Sequence, residues 1–256
     1  MQNRIKQKLQ DGKAIIGTIP TIDHPVTLGA LANSNFDFLL IDTQHSQIDI
    51  TTLHKMMLSL GRSKEIIVRV QYNETFLINA AIDAGADGVI VPLTNTPEAV
   101  EKAVQAAKYP PRGIRSWGPK GAVNYGGAAN YAAVANDEVI VWPQIETLQA
   151  VENLDEILSI DGVDGIMIGP ADLGWSMGYM PHEGLDKVDD MIQHILDKCI
   201  EHNVPWGMFT STYERADKWI TRGGKIATVG ADASFLTEGL QNAEAKVQGL
   251  RNRVNS

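Results

Sequence analysis

Short apolar runs alternate with helix-like segments along almost the whole chain. Each run has the length of a buried strand, and the segments between runs space their apolar residues three or four positions apart. The eight runs begin near Ala14, Phe38, Ile66, Gly88, Val139, Val163, Val204 and Ile226. Strict alternation of this kind requires parallel strands joined by helices, and it therefore restricts the chain to a (β/α)8 barrel or an open doubly wound sheet.

Chain length and the lack of a nucleotide-binding loop favour the barrel. The chain has 256 residues, 44% of them hydrophobic, which suits one barrel with a sizeable core. No Gly-x-Gly-x-x-Gly motif follows the first run, and this weakens a dinucleotide-binding open sheet. We therefore expect residues 1–256 to form a single α/β domain with the (β/α)8 TIM barrel fold.

Two segments depart from the alternation. Residues 116–136 are rich in Gly and Ala and contain Trp117, Lys120, Tyr125 and Tyr131. We interpret them as a long loop, which is either a lid or subunit contact or an insertion without a function. The last helix carries an apolar stripe of Leu236, Leu240, Ala243, Val247, Leu250 and Val254. Such a stripe is expected to cover its own barrel or that of a neighbouring subunit.

Composition excludes several classes of function. The net charge of −9 argues against a nucleic-acid-binding surface. With Cys199 as the single cysteine, neither an internal disulfide nor a cysteine metal cluster is possible. The first residues lack an apolar signal core, and no run approaches the roughly 18 residues of a membrane helix. These features predict a cytoplasmic protein without a membrane or nucleic-acid partner.

Two carboxylates follow successive strands at matching positions. Glu146 comes directly after the fifth apolar run, and Asp172 follows the sixth. If these strands are parallel neighbours, both acids face one mouth of the barrel, where paired oxygen ligands suit a divalent cation such as Mg²⁺ or Mn²⁺. Alternatively, Glu146 begins the next helix as an N-terminal acid and Asp172 caps a turn. The matched placement favours the metal site.

Other polar residues stand at the same ends of the strands, where barrel enzymes place their chemistry. Arg69 interrupts an otherwise apolar strand. Either it forms a structural ion pair inside the barrel, or it binds a carboxylate or enolate oxygen. His45 follows Asp42 by three residues, so the carboxylate could orient the imidazole for proton transfer. Gln144 shares the fifth strand end with Glu146.

Five stretches together resemble the HpcH/HpaI aldolase family, the class II pyruvate aldolases of the phosphoenolpyruvate/pyruvate superfamily. They are Phe36-Asp37-Phe38-Leu39-Leu40-Ile41-Asp42-Thr43-Gln44-His45, Val68-Arg69, Tyr109-Pro110-Pro111-Arg112-Gly113-Ile114-Arg115, Gln144-Ile145-Glu146-Thr147 and Gly162-Val163-Asp164-Gly165-Ile166-Met167-Ile168-Gly169-Pro170-Ala171-Asp172-Leu173. The chain departs from many members at Gln44, where they have Glu. The resemblance runs nearly end to end, and its motifs are specific in order and spacing.

This resemblance implies a metal-dependent aldolase that cleaves or forms 4-hydroxy-2-oxo acids, with pyruvate as the enolate component and an aldehyde as the acceptor. It implies that Glu146 and Asp172 hold Mg²⁺, Mn²⁺ or Co²⁺, and that Arg69 stabilises the enolate oxygen. Gln144 would support the bound pyruvate, and His45, oriented by Asp42, would act as the base.

The resemblance further implies that backbone amides of the segment Gly169, Pro170, Ala171 and Asp172 receive the pyruvate carboxylate. Family members form hexamers, trimers of dimers, in which the last helix packs on a partner subunit. The sequence does not identify the aldehyde, whose selection we expect to depend on residues 116–136 and 175–179, either within one chain or across a subunit boundary.

The sequence leaves three other functions open. A class I aldolase would need a Schiff-base lysine, and Lys120 and Lys225 are the candidates near a plausible site. An acyl-CoA lyase of the same superfamily would need a basic cleft for the nucleotide. A non-catalytic protein that binds oxo acids would not need the polar residues that gather at the strand ends.

Overall fold

Eight parallel strands close into a barrel in which each strand pairs with its neighbours in sequence and β8 pairs with β1. The computed structural model describes residues 3–120, 126–180, 182–210 and 212–254. The strands are β1 Ile15–Ile19, β2 Phe38–Asp42, β3 Glu65–Arg69, β4 Gly88–Val91, β5 Ile140–Ile145, β6 Ile166–Ile168, β7 Trp206–Phe209 and β8 Ile226–Ala231. The predicted (β/α)8 fold is therefore confirmed.

Helices surround the barrel. In the described ranges they are α1 Arg4–Gln10, α2 Pro25–Ala32, α3 Ile50–Leu60, α4 Thr75–Ala84, α5 Pro97–Ala107, α6 Ala128–Glu138, α7 Leu148–Glu152, α8 Leu154–Leu158, α9 Pro170–Ser176, α10 Leu185–Glu201, α11 Tyr213–Thr221 and α12 Asp232–Val254. The segment after β5 is divided into α7 and α8 at Asn153, whose side-chain amide donates to the carbonyls of Asn95 and Gln149. The apolar spacing shared by α7 and α8 does not reveal this break.

The two faces of each strand bury different parts of the core. Alternate side chains fill the barrel interior, and this layer comprises Ile15, Phe38, Leu40, Ile67, Ile90, Ile140, Trp142, Met167 and Ile226. Ile5 of α1 belongs to the same cluster and is 1% exposed, so α1 closes the end of the barrel at which the strands begin. The outward-facing strand residues pack under the helices in a second, larger cluster.

A repeated aspartate fixes the start of three strand pairs. The carboxylate of Asp37, just before β2, accepts a hydrogen bond from the amide of Ile16 in β1 at 2.7 Å. Asp87 accepts from Ile66 at 2.9 Å, and Asp164 accepts from Val141 at 3.0 Å. The cations Lys8, Arg62 and Lys6 pair with these three carboxylates. The acid that leads each of these apolar runs therefore sets the register between neighbouring strands.

The expectation of a single loop over residues 116–136 is wrong in its second half. Helix α6 begins at Ala128, and Tyr131 and Ala135 are buried on one of its faces. The run of alanines in this segment has high helix propensity, which outweighs the neighbouring glycines. Tyr125 lies outside the described residues, in the gap at 121–125.

Helix α12 contacts its own barrel at its first turn, where Phe235 stacks on Phe36, but its apolar stripe is left uncovered. Its residues Leu236, Leu240, Val247 and Leu250 are 43–58% exposed, so the apolar stripe predicted from the sequence is not covered by the rest of the described chain. Nothing is described for the side chain of Val254.

Among the described residues, no helix combines the length and apolar character needed to cross a membrane.

The repeated aspartates give a prediction about stability. Asp87 is 1% exposed, and Asp87→Ala leaves the amide of Ile66 and the guanidinium of Arg62 without this carboxylate. We expect a loss of about 3 kcal/mol in the free energy of unfolding, measured by chemical denaturation. The control is Asp161→Ala, because that side chain is 97% exposed, and its expected change is within about 0.5 kcal/mol. Equal effects of the two substitutions would contradict the role of Asp87.

Candidate active site

The carboxyl ends of the strands surround a cavity of about 660 Å³. It is lined by Ile19, His45, Arg69, Gln144, Gly169, Pro170, Ala171, Asp172, Phe209, Thr210, Arg215, Thr228, Gly230, Ala231 and Ser234. The structure thus brings together most of the site residues predicted from the sequence. The remaining two, Asp42 and Glu146, lie directly behind lining residues and bind them.

Arg69 and Asp42 form a two-bond ion pair at the mouth. Arg69 Nε donates to Asp42 Oδ1 at 2.9 Å, and Nη2 donates to Oδ2 at 2.6 Å. The last residue pair in the register of β2 and β3 joins these two residues, so both side chains leave the sheet on the same face. The arginine also lies over the ring of Phe209, with 4.6 Å between Cζ and the ring centroid. The ion pair expected from the structural interpretation of Arg69 is therefore present, and the guanidinium also lines the cavity.

Asp42 reaches His45 through the backbone. Its Oδ1 accepts hydrogen bonds from the amides of Gln44 at 3.0 Å and His45 at 3.4 Å. Within the described residues, the imidazole of His45 makes no hydrogen bond to Asp42, and the carboxylate is occupied by Arg69. The side chain of His45 is exposed at the mouth, so Asp42 orients the segment that carries the imidazole.

The ion pair lowers the pKa of Asp42. Burial acts to raise the pKa of this carboxyl group, but the hydrogen bonds and charge of Arg69 outweigh burial, and the amides of Gln44 and His45 add to their effect. The net pKa lies below the ordinary value of 3.8. Asp42 is therefore ionised throughout the neutral range and does not donate a proton.

Glu146 is a buried carboxylate held by two donors. It is 1% exposed, and its Oε1 accepts from the amide of Leu93 at 2.8 Å, while Oε2 accepts from Gln144 Nε2. Leu93 has a left-handed backbone with φ of 53°, a conformation that is uncommon for a residue with a side chain. Glu146 therefore holds its position through the loop that follows β4.

Gly169 allows the two acidic strand ends to approach each other. A Cβ atom at this position would lie 2.8 Å from Glu146 Oε2 and 2.9 Å from Gln144 Nε2, closer than side chains tolerate. Asp172 follows in the first turn of α9 and is exposed at the mouth. Burial raises the pKa of Glu146 above its ordinary value, and the charge of Asp172 acts in the same direction.

The donor set fits a divalent cation. Glu146 and Asp172 supply hard anionic oxygens, and Gln144 Oε1 is a buried oxygen without a hydrogen-bond partner among the described residues. A cation beside these atoms would offset the unfavourable burial of the Glu146 charge and satisfy the amide oxygen. Oxygen donors of this kind match Mg²⁺ or Mn²⁺.

Neither lysine considered for a class I aldolase lines this cavity. Lys225 lies at the opposite end of the barrel, where its Nζ donates to the carbonyl of Gly12 at 2.8 Å. Lys120 lies beside the undescribed residues 121–125 and is not among the lining residues.

Sequence reasoning missed several residues of the site, among them Leu93, Phe209, Arg215 and Thr228. Phe209 in β7 and Thr228 in β8 point into the barrel, as the polar site residues of the other strands do. Counting every second position along β7 and β8 would have identified them. Arg215 comes from the first turn of α11, and Leu93 contributes its backbone amide, so neither has a sequence signal of that kind. Within the single chain, the described residues of the segments 116–136 and 175–179 do not line the cavity, so their expected part in selecting the aldehyde stays a prediction about a subunit boundary.

A protein-family model described as HpcH/HpaI aldolase/citrate lyase matches residues 21–238. The chain is 32% identical to a 5-keto-4-deoxy-D-glucarate aldolase of Salmonella arizonae over 241 residues, covering 93% of this chain and 94% of that protein. It is 31% identical to a hydroxypyruvate/pyruvate aldolase of Roseobacter denitrificans over 247 residues, covering 95% and 96%.

Solved structures show the same architecture. A crystal structure of an HpcH/HpaI aldolase/citrate lyase family protein from Burkholderia cenocepacia superposes with a TM-score of 0.89 and 27% sequence identity. The match covers 96% of this chain and 100% of that chain. The likeness therefore extends over the entire barrel, including the strand ends that form the mouth.

The ion pair at the mouth gives a prediction about stability and pH. Arg69 and Asp42 side chains are 11% and 13% exposed, so Arg69→Met leaves a largely buried carboxylate without its partner. We expect this change to lower the free energy of unfolding by about 3 kcal/mol at neutral pH. The double variant with Asp42→Asn should recover part of the loss, which a double-mutant cycle measures.

The pH dependence follows from the lowered pKa of Asp42. A carboxylate with a lowered folded-state pKa stabilises the fold above its unfolded pKa, and that contribution is lost as pH falls through the folded pKa. In Arg69→Met, burial without the arginine raises the folded-state pKa of Asp42. The difference between the wild type and the variant should therefore be complete only above this raised pKa, and it should shrink as pH falls from there through the lowered pKa of the wild type. A difference that stays constant to acid pH would contradict the pairing.

Proposed function

Since the chain belongs to the HpcH/HpaI aldolase/citrate lyase family, we propose that this carbon–carbon lyase is a metal-dependent class II aldolase that joins and separates pyruvate and an aldehyde. Its substrates in the cleavage direction are 4-hydroxy-2-oxo acids. The observation that carries the proposal is the convergence of Arg69, His45, Gln144 and Asp172 on one cavity, with Glu146 bound to Gln144 beside it.

Glu146 and Asp172 would hold the divalent cation, which is Mg²⁺, Mn²⁺ or Co²⁺. When bound, the cation supplies Lewis-acid polarisation of the carbonyl group of the oxo acid. Leu93 and Gln144 keep Glu146 in one orientation through their hydrogen bonds. This fixed geometry supports metal binding because the carboxylate does not have to be ordered when the ion arrives.

Arg69 would stabilise negative charge on the 2-oxo oxygen. Its pairing with Asp42 uses Nε and Nη2, and within the described residues Nη1 makes no hydrogen bond. That donor is available for the substrate while the ion pair keeps the guanidinium in place. The amides of Ala171 and Asp172, at the start of α9, would receive the carboxylate of pyruvate, and Gln144 would contact the same half of the substrate.

His45 would act as the base that removes the proton of the 4-hydroxyl group during cleavage. Imidazole suits this role because it exchanges a proton near neutral pH. Asp42 accepts a hydrogen bond from the backbone amide of His45, and it therefore positions the backbone segment that carries the imidazole. In the addition direction the same imidazole would return a proton to the new alkoxide.

Assembly into a homo-oligomer completes the proposal. The apolar stripe of α12 is exposed on the single chain, and exposed stripes of this kind mark a contact with another protein surface. A second copy of the chain is the proposed partner, in a hexamer built as a trimer of dimers. Cytoplasmic localisation is part of the same proposal.

Exchange of deuterium into the methyl group of pyruvate tests the function without an aldehyde. We expect exchange with Mg²⁺, Mn²⁺ or Co²⁺ present, its loss with chelator and its return when the metal is restored. Borohydride trapping with pyruvate should not label the protein, because no Schiff base forms. Full exchange in metal-free protein would refute the class II mechanism, and binding of pyruvate without turnover would favour a non-catalytic protein.

Removal of a metal ligand should separate metal binding from folding. Glu146→Gln should weaken the binding of Mn²⁺ by at least about 100-fold, because changes in residues that merely support ligands already cost about 10- to 100-fold. Calorimetric titration measures the affinity, and thermal unfolding reports the fold. Glu152→Gln, at the exposed end of α7, is the matched control and should bind Mn²⁺ normally. Normal affinity in Glu146→Gln would remove this residue from the site.

Removal of the base should affect catalysis and spare binding. His45→Ala should reduce the rate of cleavage by roughly 10²–10⁴-fold while affinity for the pyruvate analogue oxamate is retained. His54→Ala changes an exposed histidine of α3 and should behave as wild type. Near-normal cleavage by His45→Ala would move the base elsewhere.

A further inference from the structure

We propose that residues 93–95, in the loop between β4 and α5, form a positioning element for Glu146, and that Thr94 and Asn153 act through it on the affinity for the cation. This inference rests on the proposed function, in which Glu146 holds the cation. It assigns a role to residues outside the cavity. Among the described residues that line the cavity, none belongs to this 93–95 loop, and Asn153 is not one of them either.

The 93–95 loop begins with a strained residue. Leu93 has a φ of 53°, and a residue with a side chain keeps this left-handed conformation only where the surrounding structure enforces it. The conformation directs the amide of Leu93 at Glu146 Oε1, which lies 2.8 Å away. A hydrogen bond from an amide to an ionised carboxylate is among the stronger ones in proteins. The rare backbone conformation therefore aims a donor at the candidate metal ligand.

Thr94 binds the loop to the strand that ends at Glu146. Its side chain is fully buried, and its hydroxyl lies 3.2 Å from the carbonyl oxygen of Gln144 and 3.4 Å from that of Val91. Gln144 is also the residue whose side-chain amide donates to Glu146 Oε2. The hydroxyl of Thr94 thus connects the residue that follows Leu93 to the residue that holds the other carboxylate oxygen.

Two further hydrogen bonds hold Asn95. Its side-chain oxygen accepts from the hydroxyl of Thr147 at 2.7 Å, and its backbone carbonyl accepts from Asn153 Nδ2 at 2.9 Å. Thr147 directly follows Glu146 and also caps α7 by accepting from the amide of Ala150 at 3.1 Å. Asn153 stands at the junction of α7 and α8. Each residue of the 93–95 loop is therefore hydrogen-bonded to the segment that begins with β5.

These contacts connect Thr94 and Asn153 to metal binding. Within the described residues, the hydrogen bonds to Glu146 come from Leu93 and Gln144, so Thr94 and Asn153 act on the carboxylate only through the loop. Because Glu146 is 1% exposed, water does not readily replace a lost donor. If the loop loosens, the amide of Leu93 moves away from Oε1 and the carboxylate becomes free to rotate. A ligand that is no longer held in one orientation binds its metal more weakly.

Replacement of Thr94 tests its contact with the strand. Thr94→Val removes the hydroxyl but keeps the shape of the side chain, and it should weaken the binding of Mn²⁺ by about 10-fold in calorimetric titration. Thr94→Ser keeps the hydroxyl and should restore most of the affinity. The matched control is Thr18→Val, because Thr18 is also fully buried and its hydroxyl donates to the carbonyl of Gly230 at 3.2 Å, on the β1–β8 side of the barrel. This control should bind Mn²⁺ as the wild type does.

Replacement of Asn153 tests the loop from outside the site. Asn153→Ala removes the hydrogen bonds to the carbonyls of Asn95 and Gln149, and it should weaken the binding of Mn²⁺ by about 3- to 10-fold, as expected for one neutral hydrogen bond. The matched control is Asn33→Ala. Asn33 also follows a helix, α2, and its side-chain amide also donates to the carbonyl four residues earlier, that of Gly29, at 2.8 Å. Its replacement should leave the affinity unchanged.

Two further measurements separate positioning from a general loss of stability. Thermal unfolding without metal reports the fold of each variant. In deuterium exchange into pyruvate, the Mn²⁺ concentration that gives half the maximal rate should rise by the same factor as the dissociation constant. A lower Tm with unchanged or tighter binding of Mn²⁺ in both Thr94→Val and Asn153→Ala would overturn the proposal. If Thr94→Val does not fold, Asn153→Ala decides it alone, because Asn153 is only partly buried.

The wild type and Glu146→Gln separate this inference from the function on which it rests. If the wild type binds no Mn²⁺, or if Glu146→Gln binds it equally well, the proposed metal site is refuted and this inference with it. If Glu146→Gln loses the ion while Thr94→Val and Asn153→Ala bind it as the wild type does, the role of the 93–95 loop alone is refuted.

Discussion

Hydrogen bonds that three aspartate carboxylates accept from amides of the preceding strands fix the register on which the site depends. Asp37, Asp87 and Asp164 each bind an amide at the start of a neighbouring strand. Because side chains alternate strictly along a strand, a slip of one residue would turn every inward side chain outward. The register held at one end of the barrel therefore determines that Arg69 and Glu146 face inward at the other end.

The charged side chains at the mouth of the barrel are compensated to different degrees. The Arg69–Asp42 pair is internally neutral and lowers the pKa of its own carboxyl group, so it keeps its charges across the neutral range. Glu146 is different, because burial opposes its ionisation and its two donors compensate only in part. A pocket with one satisfied ion pair and one incompletely compensated carboxylate favours a cation beside that carboxylate.

Local sequence patterns predicted the strands, the two acids and the inward arginine, because each depends on alternation within one element. They did not predict that Asp42 would bind Arg69 and make no hydrogen bond to the imidazole of His45. The partner of Asp42 depends on the register between β2 and β3, which local patterns do not contain. The hydrogen bond from the amide of Leu93 to Glu146 could not be predicted either, because it comes from the backbone of a residue in a rare conformation. Helix α6 was missed for another reason. The mixture of glycine and alanine in residues 116–136 has the composition of a loop, whereas the alanines of its second half favour a helix.

If α12 packs on a second copy of the chain, as proposed, its exposed stripe links the order of this helix to association. At Gly239 and Gly249, a Cβ atom would meet no heavy atom within 4 Å, and each glycine lowers helix stability by about 1 kcal/mol relative to alanine. Most helices owe their stability to the surface that covers their apolar face. In the proposed oligomer, this cover would be lost at high dilution. The end of the chain would then fray towards coil, and the rate of hydrogen exchange along α12 would report the concentration of subunits.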